Sequence, residues 1–118
     1  MTGSTAVVES EPHGDHVVVR ISGELDVFNA EPATKEIEQA IPTGAHGAAI
    51  DLTEVSFLDS TAIRKLFGLT ARLAERRQRM VIVTPDGSTV QRTLQLVAFA
   101  RAASMHETLD EALEALAT

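Results

Sequence analysis

The sequence predicts an α/β domain with a mainly parallel sheet of four to five strands, an antiparallel N-terminal hairpin and about four flanking helices. Short β-branched runs alternate with segments of helical periodicity, which implies right-handed crossovers between parallel strands. Only a short segment with Pro, Gly and Asp separates the first two runs, and this indicates a hairpin. The later runs "HGAAIDL" and "MVIVTP" lack polar alternation, as is typical of strands covered on both faces.

The first third of the chain reads as a hairpin followed by a helix. The paired strands are "STAVVES" and "HVVVRISG", with "EPHGDH" as the turn between them. Asn29 or Glu31 can cap the helix that follows, with Pro32 in its first turn. Its apolar stripe consists of Ala33, Ile37, Ala40 and Ile41.

The rest of the chain alternates strands and helices. We expect "HGAAIDL" to form a strand, "TEVSF" to be a connector, and helices to start near Ser60 and Ser88. Thr108, with Glu111 three residues later, is the capping-box signature of a terminal helix. The stripes of these helices are Ile63, Leu66, Phe67, Thr70, Leu73 and Ala74, then Val90, Leu94 and Val97, then Leu109, Ala112, Leu113 and Leu116.

The composition is typical of a single cytoplasmic domain. Because 44% of the 118 residues are hydrophobic, we expect one domain over residues 1–118 with one packed core. A net charge of −7 and an aromatic content of 3% argue against direct nucleic-acid binding, which needs basic and stacking side chains. The N-terminus lacks a signal-peptide pattern, and no apolar run approaches the ~20 residues of a membrane span. We therefore expect a cytoplasmic protein without membrane contact.

Patterns typical of enzymes and metal sites are weak or missing. Ser60 lacks the G-x-S-x-G elbow of hydrolases, and a chain without cysteine has no thiolate nucleophile. His13 and His16 belong to a hairpin tip, where solvated side chains are the simpler interpretation than metal ligands. Asp51, near a predicted strand end, lacks the acidic pair and the lysine that a phosphoacceptor aspartate needs. We expect no catalytic residue, no metal and no cofactor.

Within "FLDSTAIRKLFGL", Asp59, Ser60 and Thr61 lie where a strand should pass into a helix. Two interpretations stay open. All three residue types are preferred helix caps, because a side-chain oxygen accepts a hydrogen bond from an unpaired backbone N–H. Alternatively, a hydroxyl at this position faces solvent at the positive pole of the helix, where a phosphate is tolerated. Phosphorylation would then add about −1.5 to −2 charge to a docking surface without melting the fold.

The chain resembles the STAS domain, and most closely the single-domain bacterial anti-sigma factor antagonists. The most specific segment is the D-S-[ST] centre, Asp59 to Thr61, which follows an apolar and acidic strand. "GELD" at Gly23 to Asp26 and the late "SMHETLDEAL" support the resemblance in the right order, over nearly the whole chain. Ala62 stands where the family commonly has Gly, and because alanine is the better helix former we expect a more rigid helix start.

The resemblance implies a phosphorylation switch. In the family, the serine that matches Ser60 is phosphorylated by a partner serine kinase of the ATP-binding GHKL type, which is also the anti-sigma factor. The unphosphorylated antagonist binds that kinase and frees the sigma factor, phosphorylation releases the antagonist, and a phosphatase resets it. Ser60 is thus the implied phosphoacceptor, with Thr61 as the alternative. The implied partner-binding residues are Asp26, Asp59, Ser60, Thr61, Arg64 and Lys65.

The same resemblance assigns positions to the acidic residues. Asp59 is expected to orient the loop and contact the kinase, and Asp26 to lie beside Ser60 on the docking face. A second interpretation within the family is a constitutive adaptor, for example in a lipid-transport ATPase complex, which uses the same face without a phosphate cycle. We expect a monomer or a weak homodimer.

Overall fold

A computed structural model describes residues 5–118, which form a five-stranded sheet with four α-helices. The strands are β1 (Ala6–His13), β2 (His16–Leu25), β3 (Gly47–Leu58), β4 (Arg79–Val83) and β5 (Ser104–His106). The helices are α1 (Ala30–Ala40), α2 (Ser60–Glu75), α3 (Thr89–Leu96) and α4 (Leu109–Ala117), and a short 3-10 helix spans Phe99–Arg101. The sheet follows chain order, with β1 antiparallel to β2 and all other neighbours parallel. The predicted fold class is confirmed.

The N-terminal hairpin is confirmed, and a two-residue turn closes it. His13 pairs with His16, so Gly14 and Asp15 form the turn, with Gly14 at a φ of +62°. Glycine adopts this left-handed conformation without steric penalty, which suits a tight turn between two strands. The run "STAVVES" begins at Ser4, which lies outside the described residues, as does the start of the chain on which the signal-peptide expectation depends.

The two faces of the sheet are covered by different helices. One face packs against α1, α2 and α3 and forms the main core, in which Ile50 of β3 and Leu66 of α2 are fully buried. The other face packs against α4, where Ala112 and Leu116 join Ala49 of β3 in a smaller core. Successive residues of β3 therefore enter different cores, which explains why the run "HGAAIDL" shows no polar alternation.

β3 is longer than predicted, because "TEVSF" extends the strand instead of connecting it to a helix. Val55 in this extension and Leu58 at the end of the strand are buried, and β2 stays paired with β3 as far as Leu25, with two irregularities of register. One consequence is that Asp51 lies inside β3 and not near its end. The other is that β3 ends immediately before Asp59.

Each helix begins after a polar residue, as the sequence predicts. Asp59, Ser88 and Thr108 precede α2, α3 and α4, and the side chain of each accepts a hydrogen bond from the N–H three residues later. Asn29 precedes α1 but makes no capping bond, since its Oδ1 accepts from the N–H of Asp26 at 2.9 Å. Local capping chemistry therefore fixes three of the four helix starts.

The chain between α3 and α4 differs from the sequence interpretation. α3 ends at Leu96, so Val97, which was expected on its apolar stripe, is 41% exposed. Ala98 has a positive φ and turns the chain into the 3-10 helix, where Phe99 is buried with its ring centroid 4.6 Å from that of Phe67. β5 then adds the last strand, and its three residues are too few to carry a periodic signal.

Candidate functional site

The candidate site lies at the edge of the sheet where β2 and β3 end. Leu25 and Leu58 are neighbours in the parallel register, so the segments that follow them emerge side by side. One segment is the loop of residues 26–29 before α1, and the other is Asp59 at the start of α2. Loops at the carboxyl ends of parallel strands are where α/β proteins commonly place functional groups.

Asp59 joins these two segments. Its Oδ1 accepts a hydrogen bond from the N–H of Ala62 at 2.9 Å and caps α2, while its Oδ2 accepts from the N–H of Val27 at 2.8 Å. The backbone N–H of Asp59 donates to the carbonyl of Leu25 at 3.1 Å. Both carboxylate oxygens are therefore engaged, and they hold the loop of residues 26–29 against the start of α2.

Ser60 is the first residue of α2, and it is exposed. Asp59 is the cap of this helix, so capping does not account for the serine. Within residues 5–118 the Ser60 hydroxyl has no hydrogen-bond partner. Thr61, the alternative acceptor, is half-buried and therefore less accessible. The more accessible of the two hydroxyls is thus the one at the helix start.

Asp26 holds the neighbouring loop in a turn. Its Oδ1 accepts from the N–H of Phe28 at 2.9 Å, and its N–H donates to Oδ1 of Asn29 at 2.9 Å. An aspartate that bonds to the backbone two residues later is typical of a tight loop. The bond from Val27 to Asp59 brings this loop to the start of α2, the region in which Asp26 was expected.

Arg64 and Lys65 both follow Ser60 on α2 but have different surroundings. The Nζ of Lys65 lies 3.5 Å from a carboxylate oxygen of Glu31 on α1. Arg64 is exposed and, in the part of the chain that the structure describes, has no carboxylate partner. Lys65 therefore contributes to the contact between two helices, whereas Arg64 is available to another group.

Three exposed apolar side chains at this edge were missed by the sequence interpretation. Val27 is 61% exposed, Phe28 74% and Phe57 46%, and we call these three residues the apolar patch. Two of the four phenylalanines in the sequence thus lie in it. A sequence signal existed, since "VF" stands between polar residues in "LDVFNAE" and belongs to neither a strand nor a helical stripe. Large apolar side chains exposed at one edge of a small domain are typical of an interaction surface.

Ala62, the departure from the family pattern, does not contribute to this surface. Its side chain is 1% exposed and packs in the main core, while its N–H is occupied by the cap from Asp59. The methyl group that replaces the glycine hydrogen therefore does not stand between Ser60 and a docking protein.

The residues considered for metal or aspartyl-phosphate chemistry lie elsewhere. His13 and His16 flank the hairpin turn, at the opposite edge of the sheet from Ser60. Oδ2 of Asp51 lies 4.0 Å from Nε of Arg20, in the middle of the sheet. Among residues 5–118, no group of three or more His, Cys, Asp or Glu side chains is arranged to hold a metal ion. None of the helices in this same range combines the length and apolar character that crossing a bilayer requires.

Comparisons with known proteins agree with this architecture. Residues 7–112 match the family model of the STAS domain. An anti-sigma-B factor antagonist of Listeria monocytogenes is 31% identical over 68 residues, which cover 58% of this chain and 60% of the relative. The crystal structure of an anti-sigma factor antagonist from Mycobacterium paratuberculosis superposes with a TM-score of 0.85 at 25% identity, over 97% of this chain and 96% of its own. The phosphorylated form of the Bacillus cell fate determinant SpoIIAA shares the fold, with a TM-score of 0.66 at 21% identity over 93% of this chain and 99% of its own.

The family match extends from β1 into α4 and so includes the hairpin, the loop of residues 26–29 and the triplet Asp59 to Thr61. The resemblance seen in the sequence is confirmed by a match over most of the chain. This protein belongs to the STAS domain family.

Proposed function

We propose that this protein is an anti-sigma factor antagonist that binds an anti-sigma factor kinase while Ser60 is unphosphorylated and dissociates once Ser60 carries a phosphate. The observation that supports it best is the exposed hydroxyl of Ser60, which has no partner in residues 5–118 and lies at the same sheet edge as the apolar patch. The Listeria relative is named as an anti-sigma-B factor antagonist and the mycobacterial structure as an anti-sigma factor antagonist, which supports the antagonist part of the proposal. In this proposal the protein acts by binding and performs no catalysis itself.

The proposed docking surface combines an apolar and a polar part. The apolar patch gives the partner aromatic anchors, the residue type that most often dominates binding energy at protein interfaces. The loop that presents Val27 and Phe28 is fixed by Asp59, so little ordering entropy is lost when the partner binds. The polar part consists of Asp26, Asp59, Ser60, Thr61, Arg64 and Lys65.

A phosphate on Ser60 would act on the complex and not on the fold. The phosphate adds about −1.5 to −2 charge next to Asp59, in a region that a partner has desolvated around a neutral hydroxyl. An unpaired buried charge at an interface costs roughly 2–5 kcal/mol, and each ~1.4 kcal/mol is a tenfold loss of affinity. Release by one phosphorylation therefore needs no conformational change in this chain.

The kinase supplies the chemistry of the switch. The Oγ of Ser60 attacks the γ-phosphorus of ATP bound to the kinase, the bond from that phosphorus to the β-phosphate oxygen breaks, and ADP leaves. The hydroxyl proton passes to a base of the kinase. A GHKL-type anti-sigma kinase is the proposed catalyst. A phosphatase restores the hydroxyl by transferring the phosphoryl group from the serine oxygen to water, which releases inorganic phosphate. This chain contributes the nucleophile and, through the cap by Asp59, its fixed position.

Intact-mass measurement tests the proposal. After incubation with the cognate anti-sigma kinase and ATP, we expect the full-length protein to gain about 80 Da, the mass of one phosphoryl group. The Ser60→Ala variant should gain nothing and should still bind the kinase, because the loss of one exposed hydroxyl leaves the surface uncharged. Thr61→Ala is the matched control and should be labelled like the wild type.

The possible outcomes separate the alternatives. Label that persists in Ser60→Ala but disappears in Thr61→Ala would transfer the acceptor role to Thr61. A wild-type protein that binds its partner with full affinity but is never labelled would contradict the switch and identify a constitutive adaptor.

A further inference from the structure

We propose that a phosphate on Ser60 is bound within the same molecule by Arg64, so that phosphorylation also removes this cation from the docking surface. The inference rests on the proposed function and adds a second effect to the switch. In addition to the negative charge that it introduces, the modification would neutralise a positive charge that the partner otherwise contacts.

Helix geometry places the two side chains together. Ser60 and Arg64 are four residues apart on α2, a spacing at which the Cβ atoms of helical residues are about 5–6 Å apart. Long helical side chains lean toward the helix N-terminus, so Arg64 extends over the first turn and toward Ser60. Both residues are exposed, and no part of residues 5–118 buries either one away from the other.

Arg64 is also the cation on this helix that lacks an ionic partner among the described residues. α2 carries three cations, of which Lys65 lies 3.5 Å from Glu31 and Arg72 lies 2.9 Å from Glu38. Both of these bind acids on α1 and connect the two helices. A new anion on Ser60 therefore meets one guanidinium that needs to break no existing ion pair.

A phosphate on Ser60 would be repelled by the carboxylate of the neighbouring Asp59, and a nearby cation would reduce this repulsion. Asp59 directly precedes Ser60, and its two oxygens are held by the N–H groups of Ala62 and Val27. The carboxylate cannot turn away from a phosphate without breaking the cap or the loop bond. A guanidinium binds phosphate through two parallel hydrogen bonds and offsets this repulsion.

The test uses full-length protein with phosphoserine inserted at position 60 during translation, which makes it independent of any kinase. The second pKa of the phosphate is measured by phosphorus NMR as a function of pH. A nearby cation favours the doubly charged phosphate, so we expect this pKa to be lower in the wild-type background than in Arg64→Gln. Arg64→Lys, which keeps the charge, should retain part of the lowering.

Lys65→Gln is the matched control, because it removes one positive charge from the adjacent residue, which is already paired with Glu31. We expect it to raise the phosphate pKa less than Arg64→Gln does. Equal effects of the two variants, or no difference between Arg64→Gln and the wild type, would overturn the proposed contact. Circular dichroism of each variant verifies that the exposed substitution leaves the fold intact.

The second part of the inference, that the partner contacts Arg64 when Ser60 is unphosphorylated, is tested by a separate measurement. Unphosphorylated Arg64→Gln should bind the kinase several-fold more weakly than the wild type, and an unchanged affinity would overturn this half. Failure of the kinase to label Ser60 would instead refute the proposed function, and it would not affect the NMR result.

Discussion

Asp59 combines two structural tasks in one carboxylate, and each oxygen serves a different one. The bond to Ala62 starts α2, and the bond to Val27 fixes the loop that carries two of the three residues of the apolar patch. Because its neighbour already provides the cap, the Ser60 hydroxyl is not bound by any residue in the described range 5–118. Within the triplet, Asp59 therefore fixes the local structure, and Ser60 is the residue that this structure exposes.

Substitutions at Asp59 separate the two tasks. We expect Asp59→Ala to lower the free energy of unfolding by about 1–3 kcal/mol, because it removes both the cap and the loop bond. Asp59→Asn should lower it less, because asparagine still accepts from Ala62 but turns a donor toward the N–H of Val27. Urea denaturation of the two variants and the wild type measures the difference. Equal losses would mean that the cap contributes no stability beyond that of the loop bond.

Some residues of the candidate site could be identified from the sequence, and others could not. Asp59 and Ser60 were identifiable because polar residues at the start of an apolar helical stripe stand out from the pattern. For Val27 and Phe28 the sequence showed only that they belong to no strand or helical stripe, because their exposure depends on the path of the backbone, and Asp59, more than thirty residues away, fixes that path. Long-range hydrogen bonds leave no local periodicity.

At the scale of elements, the loop of residues 26–29 acts as a rigid arm. Its first residue bonds to Phe28 and Asn29, and Asp59 holds its second residue. The sequence predicted the neighbouring helix but not this arm, and it also stopped β3 too early. Both features depend on contacts between distant parts of the chain and not on a local sequence pattern. The second half of β3 is stabilised by pairing with β2 and by burial of Val55. The loop of residues 26–29 is held by Asp59.

Phe28→Ala tests the arm as a docking element. The side chain is 74% exposed, so we expect the free energy of unfolding to stay within about 0.5 kcal/mol of the wild type. Kinase binding should weaken by at least tenfold, in line with about 2 kcal/mol for an aromatic anchor. Titration calorimetry and urea denaturation give the two quantities.

The control for this variant is Leu96→Ala. Leu96 is 88% exposed, but it lies at the end of α3, which runs back from the edge that carries Ser60. We expect this change to leave binding intact. Equal weakening by both variants would show that binding responds to general surface hydrophobicity and not to the arm.

At the scale of the whole molecule, the proposed switch requires a fold that does not respond to the charge it carries. The main core lies between the sheet and α1, α2 and α3, and Ser60 lies outside it on the first turn of α2. An acid at this position interacts favourably with the helix dipole. Phosphorylation is thus expected to change what the surface binds while the sheet and helices stay in place.

Ser60→Glu tests this separation of surface from fold. We expect its midpoint of urea denaturation to match the wild type, with a change in unfolding free energy within about 0.5 kcal/mol, while kinase binding is lost. Ser10→Glu adds the same charge to an exposed position on β1 and should leave binding unchanged. If Ser60→Glu had a lower midpoint of urea denaturation than the wild type, the loss of binding would be explained by destabilisation of the fold and not by the added charge at the docking surface.

The hairpin turn at Gly14 and Asp15 has a practical use because of where it lies. β2 separates it from the proposed docking edge by its full length of ten residues, about 30 Å of extended chain. The sequence contains no cysteine, so Asp15→Cys would introduce the sole thiol of the chain. A fluorophore attached there would allow partner binding to be followed over time, because the dye lies too far from the proposed docking edge to obstruct the partner.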